Sequence, residues 1–185
     1  TASNYLKKER HRTKFIALRY GNVLGSSGSV IPKFIEQIKK KQKITITDPI
    51  MTRFSITMDE ALDFILKATE RGNGSEIFIP KLKAYTINNV KEALFELLEN
   101  TGDEIIGVRV GEKMNEILIN QDEIKYSWDI DDMYMIINPS VKNPYKFDKL
   151  GNKKQINTMK EYSSDTVEKM SKDEIKKVVS DAGLL

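Results

Sequence analysis

"RYGNVLGSSGSVIPKF", from Arg19 to Phe34, holds the residue types in this chain that could cradle a phosphate. An apolar run, Phe15 to Leu18, leads into Gly21, Gly25 and Gly28, and a helix-like run follows. Strand, glycines and helix together offer main-chain N–H groups to an anion. As a dinucleotide fingerprint the stretch has Asp48 about 20 residues on, where an acid would take a ribose hydroxyl. Against that reading stand its Gly-x-x-x-Gly-x-x-Gly spacing and Pro32, which is bulky where a backbone must pack against a strand. A second pattern, Tyr145-x-x-x-Lys149, has the spacing of a proton relay whose side chains share one helix face. Pro144 and Gly151 bracket it without apolar periodicity, so chance placement accounts for it better. The chain has no cysteine and a single histidine, His11, among "KKERHRTK". That excludes disulfides, cysteine metal sites and an imidazole zinc site, and any Ser–His pair would need His11.

These side chains need elements to hold them. Residues 2–10 read as the end of a helix, and Lys14–Arg19 as a buried strand. Ser29 reads as the cap of a helix with Pro32 in its first turn and an apolar face of Ile31, Phe34, Ile35 and Ile38. Lys43–Thr47 alternates as a short strand. Thr57–Glu60 has the form of a capping box, opening a helix that buries Ala61, Phe64, Ile65 and Ala68. "EIFIP" reads as a strand. Thr86 caps a helix carrying Val90, Ala93, Leu94 and Leu97. Glu104–Arg109 reads as a strand, "KMNEILI" as a helix and "MYMIINP" as a strand closed by Pro139. From Ser140 to Met159 the chain is a polar arm. A capping box at Ser171–Glu174 opens a last helix that buries Ile175, Val178 and Val179 and stops at Gly183. Alternating strands and helices predict an α/β fold.

With 39% apolar and 31% charged residues the chain has enough apolar surface for a core. A net charge of +3 gives no reason to expect nucleic acid, and the run Lys39–Lys43 reads as the solvated end of a helix. No apolar run approaches the ~20 residues of a membrane span. No signal peptide is visible, so the expected location is the cytoplasm.

Five segments carry a more specific signal in their order and spacing: "RYGNVLGSSGSVIPKF", "ITITDPIMTRFSITMDEALDFI", "GSEIFIPK", "GVRVGEKMNEILI" and "EYSSD". Together they resemble the inverting UDP-N-acetylglucosamine 4,6-dehydratases. These belong to the extended short-chain dehydrogenase/reductase family and act in nucleotide-sugar and surface-polysaccharide biosynthesis. The resemblance implies the C-terminal part of an extended Rossmann-type NAD(P)-binding fold with its smaller substrate-binding subdomain. Residues 1–139 would hold the end of the Rossmann sheet and the UDP-sugar subdomain, and 140–185 an extended arm and C-terminal helix. It further implies that the catalytic Asp, Lys and Tyr, and most of the NADP site, precede this chain. In such enzymes NADP oxidises C4, water leaves across C5–C6, and the hydride returns to C6.

On this chain the resemblance implies a substrate side. Asn22 would approach UDP-N-acetylglucosamine, and Val23 would touch the nicotinamide end of the cofactor. Ser27, Gly28, Ser29, Val30 and Ile31 would present main-chain N–H groups and a helix N-terminus to the diphosphate. Thr45 falls where nucleotide contacts occur. Arg53 would bind diphosphate or sugar, Arg109 would clamp the diphosphate with its fork of donors, and Glu112 would accept from ribose hydroxyls. No metal is implied, and the full-length enzymes are homo-oligomers. The chain departs from its relatives at Ser27, where many carry Arg, and at Val110, where they carry Pro.

Each residue alone has a plainer account: surface ion pairs for Arg53 and Arg109, a helix-start acid for Glu112, a turn former for Asn22. Tyr85, Trp128, Tyr134 and Met51 read as packing residues. The competing functions are a UDP-N-acetylglucosamine epimerase of the same family, a non-catalytic UDP-sugar-binding module, and a cofactor-binding domain starting at Phe15.

Overall fold

The computed structural model describes residues 13–26, 28–138 and 152–185. The helix expected over residues 2–10, His11, Ser27 and the Tyr145–Lys149 pair lie outside the described residues. In chain order the elements are β1 (Ala17–Leu18), β2 (Asn22–Val23), α1 (Val30–Lys39), β3 (Ile44–Ile46), β4 (Thr52–Ile56), α2 (Met58–Arg71), β5 (Glu76–Pro80) and β6 (Ala84–Thr86). There follow α3 (Ile87–Leu97), β7 (Asp103–Ile105), β8 (Ile117–Ile119), α4 (Gln121–Ile124), β9 (Ser127–Ile130), β10 (Met133–Ile137), β11 (Lys153–Gln155), β12 (Tyr162–Ser163) and α5 (Lys172–Asp181).

The chain divides into two compact units, one of residues 1–20, 62–81 and 118–162, the other of 21–61, 82–117 and 163–185. The first holds a five-stranded sheet in the order β1-β5-β10-β9-β11. β1 runs parallel to β5, pairing Ala17 with Ile77 and Leu18 with Phe78. The other pairings are antiparallel. Phe78, Ile130, Met133 and Met135 meet Phe64 and Ala68 of α2 in one apolar cluster. Asn120 opens α4 with a capping box closed by Glu123. The same Glu123 takes both ends of the Arg19 guanidinium at 2.8 and 2.9 Å, which holds its carboxyl below the usual range.

The second unit is built from short strand pairs and three helices. β2 runs parallel to β4, placing Asn22 beside Ser55, and β4 runs antiparallel to β6, placing Arg53 opposite Tyr85. β3 pairs in parallel with β7. The apolar face expected of α1 is the one buried: Ile31, Phe34, Ile35 and Ile38. They share a core with Val90, Ala93 and Leu94 of α3 and Ile175 and Val179 of α5. Each of these side chains larger than alanine contributes roughly 1.5–3 kcal/mol when taken from water. Lys172 and Lys176 of α5 both donate to Glu96 of α3 at 2.6 and 2.8 Å, fastening one helix to the other.

Several expectations are corrected. "KMNEILI" is not helical. Its Met114 carbonyl accepts from Thr52 N–H at 2.9 Å, and Glu116 bonds Ser164 through both its N–H and its carbonyl, each at 2.8 Å. These long-range partners on β4 and at Ser164 outweigh the helical period, and Ile117–Ile119 closes the segment as β8. The strand expected over Glu104–Arg109 ends at Ile105, because Gly107 and Gly111 adopt φ 80° and 90° and cannot continue it. The strand expected over Lys14–Arg19 narrows to Ala17–Leu18, with Phe15 exposed rather than buried. In the polar arm, Lys153–Gln155 pairs with β9.

Candidate functional site

A cavity of about 470 Å³ opens in the second unit. Four features supply its wall. The first is the N-terminus of α1. Ser29 stands at the cap position but its side chain makes no capping bond, and its buried hydroxyl has no partner among the described residues. Lys33 N–H already reaches back to the Ser29 carbonyl, and Pro32 has no N–H. The first turn therefore offers the N–H groups of Val30 and Ile31, with the positive end of the helix behind them. Gly28 precedes the turn at φ 82°, a conformation that disfavours any side chain there. The Lys33 ammonium has no carboxylate partner among the described residues.

β3 supplies the second feature. Its alternation buries Ile44 and Ile46 and turns Thr45 toward the cavity. Gln37 of α1 holds Thr45 twice, accepting from its N–H and donating to its Oγ1, both at 3.2 Å. The Thr45 hydroxyl proton remains for another acceptor.

The third feature is the turn Arg109–Glu112. Glu112 N–H donates to the Arg109 carbonyl at 3.0 Å, and the Glu112 carboxylate accepts from Arg109 N–H at 3.2 Å. Glu112 thus staples the turn rather than starting a helix. The Arg109 guanidinium has no partner among the described residues, so its planar fork is free for an anion.

The fourth feature lies at β2 and β4. Arg53 is not a surface ion pair; its side chain is only 17% exposed. Its Nη1 donates to the carbonyls of Thr52 and Met114 at 2.7 and 3.1 Å, and its Nη2 to Met51 Sδ at 2.8 Å. Its Nε lies 3.7 Å from Glu116 Oε1. Glu116 Oε2 accepts from Phe54 N–H at 2.9 Å, and the nearby Asn22 amide favours the charged form of the same carboxylate. Burial pushes the Tyr85 phenol up to about 12, partly opposed by Asn22. Burial likewise raises Glu116, opposed by Phe54 N–H, Arg53 and Asn22.

Of the residues singled out in the sequence, Asn22, Gly28, Ser29, Val30, Thr45, Arg53, Arg109 and Glu112 line this one cavity. Val23 lies on β2 beside Ile56, and Ile31 is buried in the core behind the helix start. Ser27 is outside the described residues. The packing reading of Tyr85, Tyr134 and Met51 agrees with their burial. Sequence reasoning missed Lys33, Glu116 and the polar side of Tyr85. Only the i, i+3 offset of Lys33 from Val30 on a helix-start face could have drawn attention to the first.

The glycine opening the stretch has a different task from a phosphate cradle. A Cβ on Gly21 would stand 2.4 Å from the Phe54 Cβ and 2.8 Å from its carbonyl carbon. It is there so that the chain can pass against β4.

Among the described residues no helix is long and apolar enough to cross a membrane. No group of three or more His, Cys, Asp or Glu there could hold a metal ion.

Residues 1–138 match the family described as polysaccharide biosynthesis protein. The chain is 40% identical over 161 residues to a UDP-N-acetylglucosamine 4,6-dehydratase (inverting) of Campylobacter jejuni, covering 83% of this chain and 47% of that protein. It is 36% identical over 169 residues to a UDP-glucose 4-epimerase of Rickettsia rickettsii, covering 90% of this chain and 49% of that one. The X-ray structure of Pen from Bacillus thuringiensis superposes with a TM-score of 0.85 at 36% identity, over all of this chain and 55% of that one. The chain thus spans about half the length of the curated relatives it matches.

Proposed function

The chain belongs to the polysaccharide biosynthesis protein family, and from that premise we propose that it is the substrate-binding, C-terminal half of an NADP-dependent UDP-N-acetylglucosamine 4,6-dehydratase. One observation carries this reading: an uncapped helix N-terminus, two cations unpaired among the described residues, and the part-buried Asn22 and Arg53 meet on one cavity. A nucleoside diphosphate sugar has the matching groups. Val30 and Ile31 N–H, Arg109 and Lys33 take the diphosphate oxygens. Thr45 donates its hydroxyl proton to the nucleotide, and the second Glu112 oxygen accepts a ribose hydroxyl. Asn22 and Arg53 face the sugar.

NADP, when bound, supplies acceptance and return of a hydride. Val23 is what this chain contributes toward it. The spacing of Gly21, Gly25 and Gly28 does not fit a dinucleotide fingerprint, and Gly21 is spent on the contact with Phe54. The catalytic Asp, Lys and Tyr, and the main NADP site, are read as lying outside this chain, in a cytoplasmic enzyme that assembles from like subunits.

The test joins the chain to a Rossmann portion of the family and follows NADP-dependent consumption of UDP-N-acetylglucosamine. Absence of turnover in a folded, joined protein overturns the reading. Identity to the Rickettsia epimerase favours a second reading, a UDP-sugar 4-epimerase. Product analysis separates them: loss of water gives a 4-keto-6-deoxy sugar, epimerisation an isomer of unchanged mass. A non-catalytic UDP-sugar module is left if the chain binds UDP through Arg109 and the joined protein turns nothing over.

A further inference from the structure

The Glu116 carboxylate is the point at which three parts of the site meet. The side of β4 away from β6 is covered by β2 only at Ser55 and Ile56. Phe54 N–H donates to Glu116 Oε2 at 2.9 Å. Glu116 cannot drift, because its own main chain is bonded on both sides to Ser164. The Ser164 hydroxyl in turn lies 2.7 Å from the Thr52 hydroxyl, which donates to Asn115 at 3.0 Å. From this position the carboxylate stands 3.7 Å from Arg53 Nε, and the Asn22 amide, beside Ser55 on the neighbouring β2, favours its charged form. Asn22 and Arg53 line the cavity; Glu116 does not.

We infer that Glu116 is a positioning residue, which fixes the Asn22 amide and the Arg53 guanidinium in one geometry and so sets the preference of the cavity for the sugar over the bare nucleotide. The inference rests on the proposed UDP-sugar site. A primary amide rotates freely about its last bond, and an arginine has four such bonds to order. Ordering both before the ligand arrives removes that cost from binding. One carboxylate shared by both also couples them, so each is held partly through the other. The diphosphate groups of the cavity, at α1 and Arg109, make no contact with Glu116.

The experiment titrates UDP and UDP-N-acetylglucosamine calorimetrically into the wild-type chain, Glu116→Gln, Asn22→Ala and the double variant, with a melting curve for each. Glutamine keeps an acceptor for Phe54 N–H but cannot accept from Asn22 with a full charge. The wild type should prefer the sugar nucleotide. In Glu116→Gln that preference should fall about tenfold while UDP affinity changes less than about threefold. Asn22→Ala should lose a similar preference, and the double variant little more, since the two act as one unit. A parallel fall for both ligands that tracks the melting temperature marks a structural role and overturns the inference, as does an unchanged preference. If Glu116→Gln does not fold, Glu116→Asp replaces it, with the same expectation. Wild-type chain that binds neither ligand removes the proposed site, and this inference with it; wild type that binds both with equal affinity overturns the inference alone.

Discussion

Gly21 passes so close to Phe54 that a side chain of even one carbon would collide with the β4 backbone, which carries Arg53 on one side of that contact and Ser55 on the other. Gly21→Ala should therefore destabilise the chain by about 1–3 kcal/mol through overpacking. Because Asn22 is the next residue, nucleotide binding should fall as well. Denaturant unfolding together with UDP titration checks both; a variant of wild-type stability would show that β2 and β4 can separate at no cost.

Arg109 offers a guanidinium unpaired among the described residues, on a turn that holds itself together through main-chain atoms and Glu112. Arg109→Ala should leave the melting temperature unchanged and weaken UDP binding about 10- to 100-fold, the loss of charge-assisted hydrogen bonds. Arg109→Lys should recover only part, since an ammonium lacks the planar fork. Equal binding by all three proteins would place the diphosphate elsewhere.

Ser29 gives an effect of opposite sign in the free and bound chain. Its hydroxyl is buried, caps nothing and has no partner among the described residues. Ser29→Ala removes an unsatisfied polar group and should stabilise the free chain by up to about 1 kcal/mol. If the hydroxyl serves a phosphate, the same change should weaken UDP. Thermal melts with and without UDP report both, and a destabilised free chain would show that the hydroxyl has a partner in solution.

Acid should loosen α5 from α3. The Lys172 and Lys176 ammonium groups hold Glu96 down to about 2, and Lys83 with the Ser171 N–H holds Glu174 equally low, against an ordinary value of 4.5. Groups depressed in the fold stabilise it fully above the ordinary value and lose that contribution as pH falls toward the folded one. Stability should thus decline between about pH 4.5 and 2. Glu96→Gln should flatten part of that decline; an unchanged acid profile in the variant would mean these exposed pairs are screened out.

The helices and their buried faces were legible because each states its own pattern. Thr57 with Glu60 and Ser171 with Glu174 form the expected capping boxes, and Ile31, Phe34, Ile35 and Ile38 point inward as their spacing requires. The segment Lys113–Ile119 was misread because its period is helical while its hydrogen-bond partners, Thr52, Phe54 and Ser164, lie about 50 to 60 positions away. Glu116 was invisible for the same reason. Its place is set by a bond to Phe54 N–H, 62 positions away in the chain. The cavity residues were found through their resemblance in order and spacing. No local pattern distinguishes Arg53, half enclosed by carbonyls, from Arg109, which is free.

Pro32 deprives the first turn of α1 of one N–H, and Lys33 N–H is already engaged, so two amides face an anion that has many more lone pairs. What the main chain does not give must come from Arg109 and Lys33, both exposed and on mobile stems. A charge set in a dry helix start is little affected by dissolved salt, but charges held out in water are screened over about 8–10 Å. On the proposed reading the grip of this cavity should depend on ionic strength, firm in dilute buffer and relaxed at high salt, while the choice of sugar set by the part-buried Glu116 should not.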